Sequence, residues 1–124
     1  MYDSRFFFEH YYSDNEATLS ATRSHLKARG TKYVSAVTIH ELYKLTMEKE
    51  GRDVAELRVS LVEKDFEVIP VDAEVAKASA DLRSRYPMPM ADSMVAASAK
   101  AYRLTCVSDD PHLSRIKEID VRWL

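Results

Sequence analysis

Short apolar runs alternate with helix-forming stretches along the whole chain, and that alternation restricts the fold more than any other feature. Tyr33 to Val37, Phe66 to Val71 and Leu104 to Val107 read as strands. Met1 to Phe8 reads as a very short strand running into a helix or turn, and Val121 to Leu124 as a final short strand. Asp14 is the expected N-cap of a helix that runs to Arg29 and is closed by Gly30. Thr38 opens a second helix, with Ile39, Leu42, Leu45 and Met47 on its apolar face and Glu41 in its first turn. Arg52 to Lys64 forms a third, carrying Val54, Leu57, Leu61 and Val62. Asp72 caps an Ala-rich helix that runs to about Tyr86 and ends at Pro87 and Pro89. Ala91 to Tyr102 is a helix of small residues, which allow close packing on a sheet.

Strands joined by helical crossovers pair in parallel, so the expected class is α/β, with a central parallel sheet covered by helices on both faces. In such sheets functional groups collect beyond the carboxyl ends of the strands. Asp3, Asp92, Asp109 and Asp110 are all expected near that edge, and Glu41 follows a strand. Carboxylates gathered there raise one another's pKa, and a divalent cation relieves the repulsion. Oxygen donors suit Mg²⁺ or Mn²⁺, and no Cys or His spacing typical of zinc is present. Lys44 stands where a His-Glu-x-x-His site starting at His40 needs its second histidine. His10, His25, His40 and His112 are scattered and are expected on surfaces or helix ends, none as a metal ligand.

Composition narrows the function classes. The 124 residues fit one domain spanning 1–124. A net charge of -2 argues against nucleic-acid binding through overall basicity and leaves a local basic rim as the alternative. Two glycines exclude a P-loop or dinucleotide fingerprint, and no Gly-x-Ser-x-Gly elbow marks a serine hydrolase. A single cysteine, Cys106, rules out an intrachain disulfide and points to a reducing compartment. With no leader peptide or membrane-length apolar run, a cytoplasmic location is expected. Phe6 to Phe8, Tyr11 and Tyr12 are read as a partner interface.

Asp3 in YDSRFF, Glu41 in VSAVTIHELYKL, Asp92 in PMADSMVAASAKAYRL and Asp110 in CVSDDPHL together resemble the PIN domains, and most closely the VapC-like ribonuclease toxins. The resemblance covers nearly the whole chain. It implies a three-layer α/β/α sandwich, a Mg²⁺- or Mn²⁺-dependent endoribonuclease, a homodimer, and a small VapB-like antitoxin whose tail occupies the acidic groove. Asp3, Asp92 and Asp110 would hold one or two metal ions, with Glu41 binding directly or through water, and RNA would leave with a 5′-phosphate and a 3′-hydroxyl. Ser108 and Asp110 match the family's Thr-x-Asp-Pro turn, which makes Asp109 the variable residue and the backup ligand. Arg5 occupies a position where the family usually has a small polar residue, so it either alters metal binding or faces substrate phosphate.

Around the acids, Arg5, Lys44, Arg83 and Arg85 are the candidate contacts to RNA, and Ser93 and Ser108 the candidate hydrogen-bond donors to carboxylates. Each acid also has a structural role open to it: Thr38-x-x-Glu41 fits a capping box, Asp92 a helix first turn, and Asp110-Pro111 a turn. The rival functions are a non-catalytic PIN-like module that binds RNA or protein, and a receiver-like domain using Asp109 and Asp110.

Overall fold

The computed structural model describes residues 1–124. Seven helices and four short strands follow one another as α1 (Ser4–Tyr12), α2 (Glu16–Lys27), β1 (Tyr33–Ser35), α3 (Ala36–Glu50), α4 (Arg52–Asp65), β2 (Glu67–Ile69), α5 (Ala73–Arg85), α6 (Met90–Ala101), β3 (Cys106–Val107), α7 (Pro111–Ser114) and β4 (Val121–Arg122). β1 pairs in parallel with β2, and β3 in parallel with β4. Tyr2 joins the two pairs by parallel bridges to Val34 and to Val107. The sheet order is therefore β2, β1, Tyr2, β3, β4, and the central lane is the chain's own start. Its backbone is held from both sides: Tyr2 N–H donates to Tyr33 at 2.9 Å, Val107 N–H to Met1 at 2.8 Å, and Asp3 N–H to Val107 at 3.2 Å.

Alternate residues along each lane enter different cores, as the two-residue period of a strand requires. Met1, Ile69 and Cys106 join Val75, Leu82, Val95 and Leu113 in a cluster with α5, α6 and α7. Val34 and Val107 join Phe6, Phe7, Leu42, Val62 and Phe66 in a second cluster with α1, α3 and α4. The result is the expected three-layer α/β/α sandwich around a parallel sheet. No helix is long and apolar enough to cross a membrane.

Several local expectations need correction. Asn15, not Asp14, caps α2, accepting the Thr18 N–H at 3.0 Å, and the helix ends at Lys27, short of Gly30. Gly30 instead supplies a left-handed turn residue (φ 100°) ahead of β1. Ser35 caps α3 by accepting from Val37 N–H at 3.1 Å, which starts the helix earlier and moves Glu41 to its second turn. Thr38 therefore lies inside the helix, and no capping box forms. The buried stripe of α3 is Thr38, Leu42 and Thr46. On α4 it is Ala55, Val59 and Val62, leaving Leu57 and Leu61 exposed. β2 is the edge lane, so only Ile69 of its three residues is buried. Phe6 and Phe7, read from sequence as interface, fill the core between α1 and the sheet. Their edge-on contacts with each other and of Phe7 with Phe66 fix that packing.

Candidate functional site

The acids converge at the carboxyl ends of the central lanes. Asp3 follows the Tyr2 lane and stands at the N-cap position of α1, where its side chain makes no capping hydrogen bond of N-cap geometry. It is 3% exposed, and one oxygen accepts the Ser108 hydroxyl at 2.7 Å. Burial raises the Asp3 pKa. The hydrogen bonds of Ser108 and of the Ser4 backbone oppose that rise, the Asp110 charge adds to it, and the Arg5 charge opposes it.

Asp92 lies in the first turn of α6, where the helix dipole favours an anion, and caps nothing. Its pKa is nonetheless pushed up to about 6, by burial first and then by the charges of Asp110 and Asp3, with His112 opposing. Glu41 reaches the same place from α3. Burial raises its pKa, Asp3, Asp92 and Asp110 add to the rise, and a hydrogen bond with the Ser4 side chain opposes it.

Asp110 ends the β3–α7 connection and caps α7, accepting the His112 N–H at 2.8 Å, while its own N–H donates to Ser108 Oγ at 3.0 Å. Ser108 thus holds Asp3 with its proton and Asp110 with its lone pair. The Pro111 ring at the first helical position leaves the cap geometry intact, because that N–H would have no partner in any case.

The charges of Asp3, Asp92 and Asp110 thus act on Glu41, those of Asp3 and Asp110 on Asp92, and that of Asp110 on Asp3. Asp92, Asp110 and His112 present ligand atoms within 4.8 Å of one another. Asp3 stands outside that tightest trio while acting on Asp92 and Glu41 by charge. His112 was not expected in the cluster. Its Nδ1 lies 3.1 Å from Asp110 Oδ1 and 3.4 Å from Asp92 Oδ2. The available sequence signal was its place two residues after the capping Asp110, which the turn folds back onto the acid.

The other candidates divide. Ser108 bonds a carboxylate as expected. Ser93 does not: it is fully buried, donates to Met90 O at 2.6 Å and meets Ser79 Oγ at 2.7 Å, so it fastens α6 to α5. Asp109 is not in the group of Asp92, Asp110 and His112 and takes the Arg5 guanidinium at two points. Lys44 pairs with Glu48 along α3. Arg83 donates to Met88 O, and Arg85 pairs with Asp81 and Glu118. Of the four basic candidates, Arg5 is the one whose charge acts on Asp3.

The donor set fits a divalent cation. Burial and neighbouring acids raise the carboxyls of Asp3, Glu41 and Asp92, and a bound cation would offset that cost of ionisation. Carboxylate oxygens suit a hard divalent cation, and the His112 imidazole beside them is a donor of the kind that softer divalent ions take.

Solved structures share this fold. VapBC2 from Rickettsia felis, solved with a DNA fragment from its promoter, matches with a TM-score of 0.80 at 15% identity, over 100% of this chain and 97% of that one. FitAcB from Neisseria gonorrhoeae matches with a TM-score of 0.76 at 23% identity, over 97% and 94% of the two chains. VapC20 from Mycobacterium tuberculosis, described as a sarcin-ricin loop cleaving toxin, matches with a TM-score of 0.79 at 15% identity, over 98% and 97%. No curated protein matches the chain. The family model described as PIN domain matches residues 1–119, and the chain accordingly belongs to the PIN domain family.

Proposed function

We propose that this protein is a divalent-cation-dependent endoribonuclease and the toxin of a VapBC-type toxin–antitoxin pair. The observation that carries the proposal is the meeting of Asp3, Glu41, Asp92 and Asp110 at one sheet edge, with the carboxyls of Asp3, Glu41 and Asp92 raised by burial and by neighbouring acids. Structural acids have no reason to crowd in this way, because each one added raises the cost of ionising the others.

Asp3, Asp92 and Asp110 would hold Mg²⁺ or Mn²⁺, with His112 beside Asp92 and Asp110 and with Glu41 completing the ring from α3. A cation bound there supplies electrostatic stabilisation to a phosphodiester as negative charge builds on its oxygens and helps deprotonate the attacking water. The chain's own groups fix the geometry. The Ser108 hydroxyl orients Asp3, the α7 backbone orients Asp110, and the first turn of α6 carries Asp92. Arg5 at the margin, paired with Asp109, is the basic candidate whose charge reaches the acids.

The likeness to VapBC and FitAcB structures supports an antitoxin partner for this chain, and a homodimer goes with the VapC-like reading. An apolar groove between α1, α2 and α4, lined by Phe7, Tyr11, Leu26, Leu61, Val62 and Phe66, offers surface for such contacts. A cleavage assay on structured RNA with Mg²⁺ or Mn²⁺ tests the enzymatic proposal. Wild type should cleave, and Asp92→Asn, or wild type in EDTA, should not. Equal cleavage in all three would remove the nuclease assignment. RNA binding without cleavage by wild type would favour the non-catalytic module.

A further inference from the structure

Arg5 lies in the first turn of α1, two residues after Asp3, and its charge acts on Asp3 and on Asp110. An arginine so placed competes with a metal ion. Its planar fork of donors binds carboxylates at two points, and its charge cannot be shed at any working pH.

Here the fork is already engaged. Arg5 Nε donates to Asp109 Oδ1 at 2.8 Å and Nη2 to Asp109 Oδ2 at 3.2 Å. From the other side, Glu9 on the next helical turn lies 4.0 Å from Nη2. Asp3 bonds Ser108 and Asp110 bonds the α7 backbone, so neither takes the guanidinium. The doublet Asp109-Asp110 thereby divides its work between neighbouring residues.

We propose that Asp109 is a positioning residue that holds the Arg5 guanidinium outside the acidic site and so keeps Asp3, Asp92 and Asp110 available to a divalent cation without being a ligand itself. The proposal rests on the assignment of those three carboxylates as cation ligands. Without Asp109, Arg5 is left with Glu9 on its own helix and with the charges of Asp3 and Asp110, and the pairing that passes to those two acids lowers the affinity of the site. Without Arg5 as well, there is nothing to restrain.

The test is a double-mutant cycle on Mn²⁺ affinity, measured by titration calorimetry on EDTA-stripped protein. The forms are wild type, Arg5→Ser, Asp109→Asn and the double variant, with circular dichroism and thermal melting of each cation-free form to verify folding. Asp109→Ser runs beside Asp109→Asn so that one poorly folded variant does not decide the outcome. Asp109→Asn should weaken binding on the order of tenfold when Arg5 is present and less than about threefold when it is Ser, a coupling of the size expected for directly contacting residues. Asp109→Glu, which keeps the carboxylate, should restore most of the affinity. An equal loss on both backgrounds would show that Asp109 contributes only its charge, and would overturn the positioning role while leaving the cation site intact. No Mn²⁺ binding by folded wild type would overturn both.

Discussion

Replacing Asp92 with Asn should make the cation-free protein more stable at neutral pH while destroying its activity. The Asp92 carboxyl moves from an ordinary 3.8 to about 6 on folding. At about 1.4 kcal/mol for each tenfold in proton affinity, the displacement has a ceiling of about 3 kcal/mol. Asp92 is partly screened, its side chain being 17% exposed, and Asn forfeits the attraction of His112, so a gain of about 1–2 kcal/mol is expected. The sign follows from linkage. A carboxyl whose folded pKa is raised holds a proton in the folded state that the unfolded state has released, so stability falls as pH rises between about 4 and 6. Above pH 6 the full penalty is in place, and the Asn variant escapes it. Thermal melting in EDTA at pH 7.5 should therefore place Asp92→Asn about 3–8 °C above wild type, and the difference should vanish near pH 4. Added Mg²⁺ should raise the wild-type midpoint and leave the variant's almost unmoved. A variant less stable than wild type at pH 7.5 in EDTA, or a gain that persists unchanged at pH 4, would refute the electrostatic account of the cluster.

Other expected outcomes follow from individual contacts. Ser108→Ala removes the hydroxyl that binds buried Asp3 and should cost about 1–3 kcal/mol by denaturant titration, together with most of the cleavage rate. Ser93→Ala should cost about 1 kcal/mol through the α5–α6 contact while leaving Mn²⁺ affinity unchanged in calorimetry. Leu57→Ser on the exposed face of α4 should change the unfolding free energy by less than about 0.5 kcal/mol, whereas Val59→Ala on the buried face should destabilise measurably. Cation affinity should rise with pH through about 6 as Asp92 loses its proton, visible as proton release in calorimetry at pH 5.5 in buffers of different ionisation enthalpy.

Much of this was legible in the chain. Alternating apolar runs and helical stretches predicted a parallel sheet with both faces covered, because only crossover helices can connect parallel lanes. Asp3, Asp92 and Asp110 could be placed because each ends a strand or opens a helix at the carboxyl edge. Details set by competition between near-equal local options were not legible. Asn15 displaced Asp14 as a cap, and Ser35 captured the start of α3 that Thr38 was expected to mark. On α4 the smaller residues Ala55, Val59 and Val62 face inward while Leu57 and Leu61 stay exposed. Hydropathy alone favours the leucines, and tight packing of α3 against α4 reverses that preference. The Arg5–Asp109 pair depends on how the β3–α7 turn returns to α1, which no spacing in the sequence reveals, whereas His112 was marked only by its place two residues after Asp110.

In the proposed function Asp3, Glu41, Asp92 and Asp110 form a cation-dependent nuclease site. The most direct test is cleavage of a structured RNA by metal-stripped protein, titrated with Mn²⁺, with Asp92→Asn and Asp110→Asn alongside wild type. Activity should appear only with the cation, saturate as the site fills and be lost in both variants, with products carrying a 5′-phosphate. Cleavage by metal-stripped protein in EDTA, or by Asp92→Asn at the wild-type rate, would contradict it.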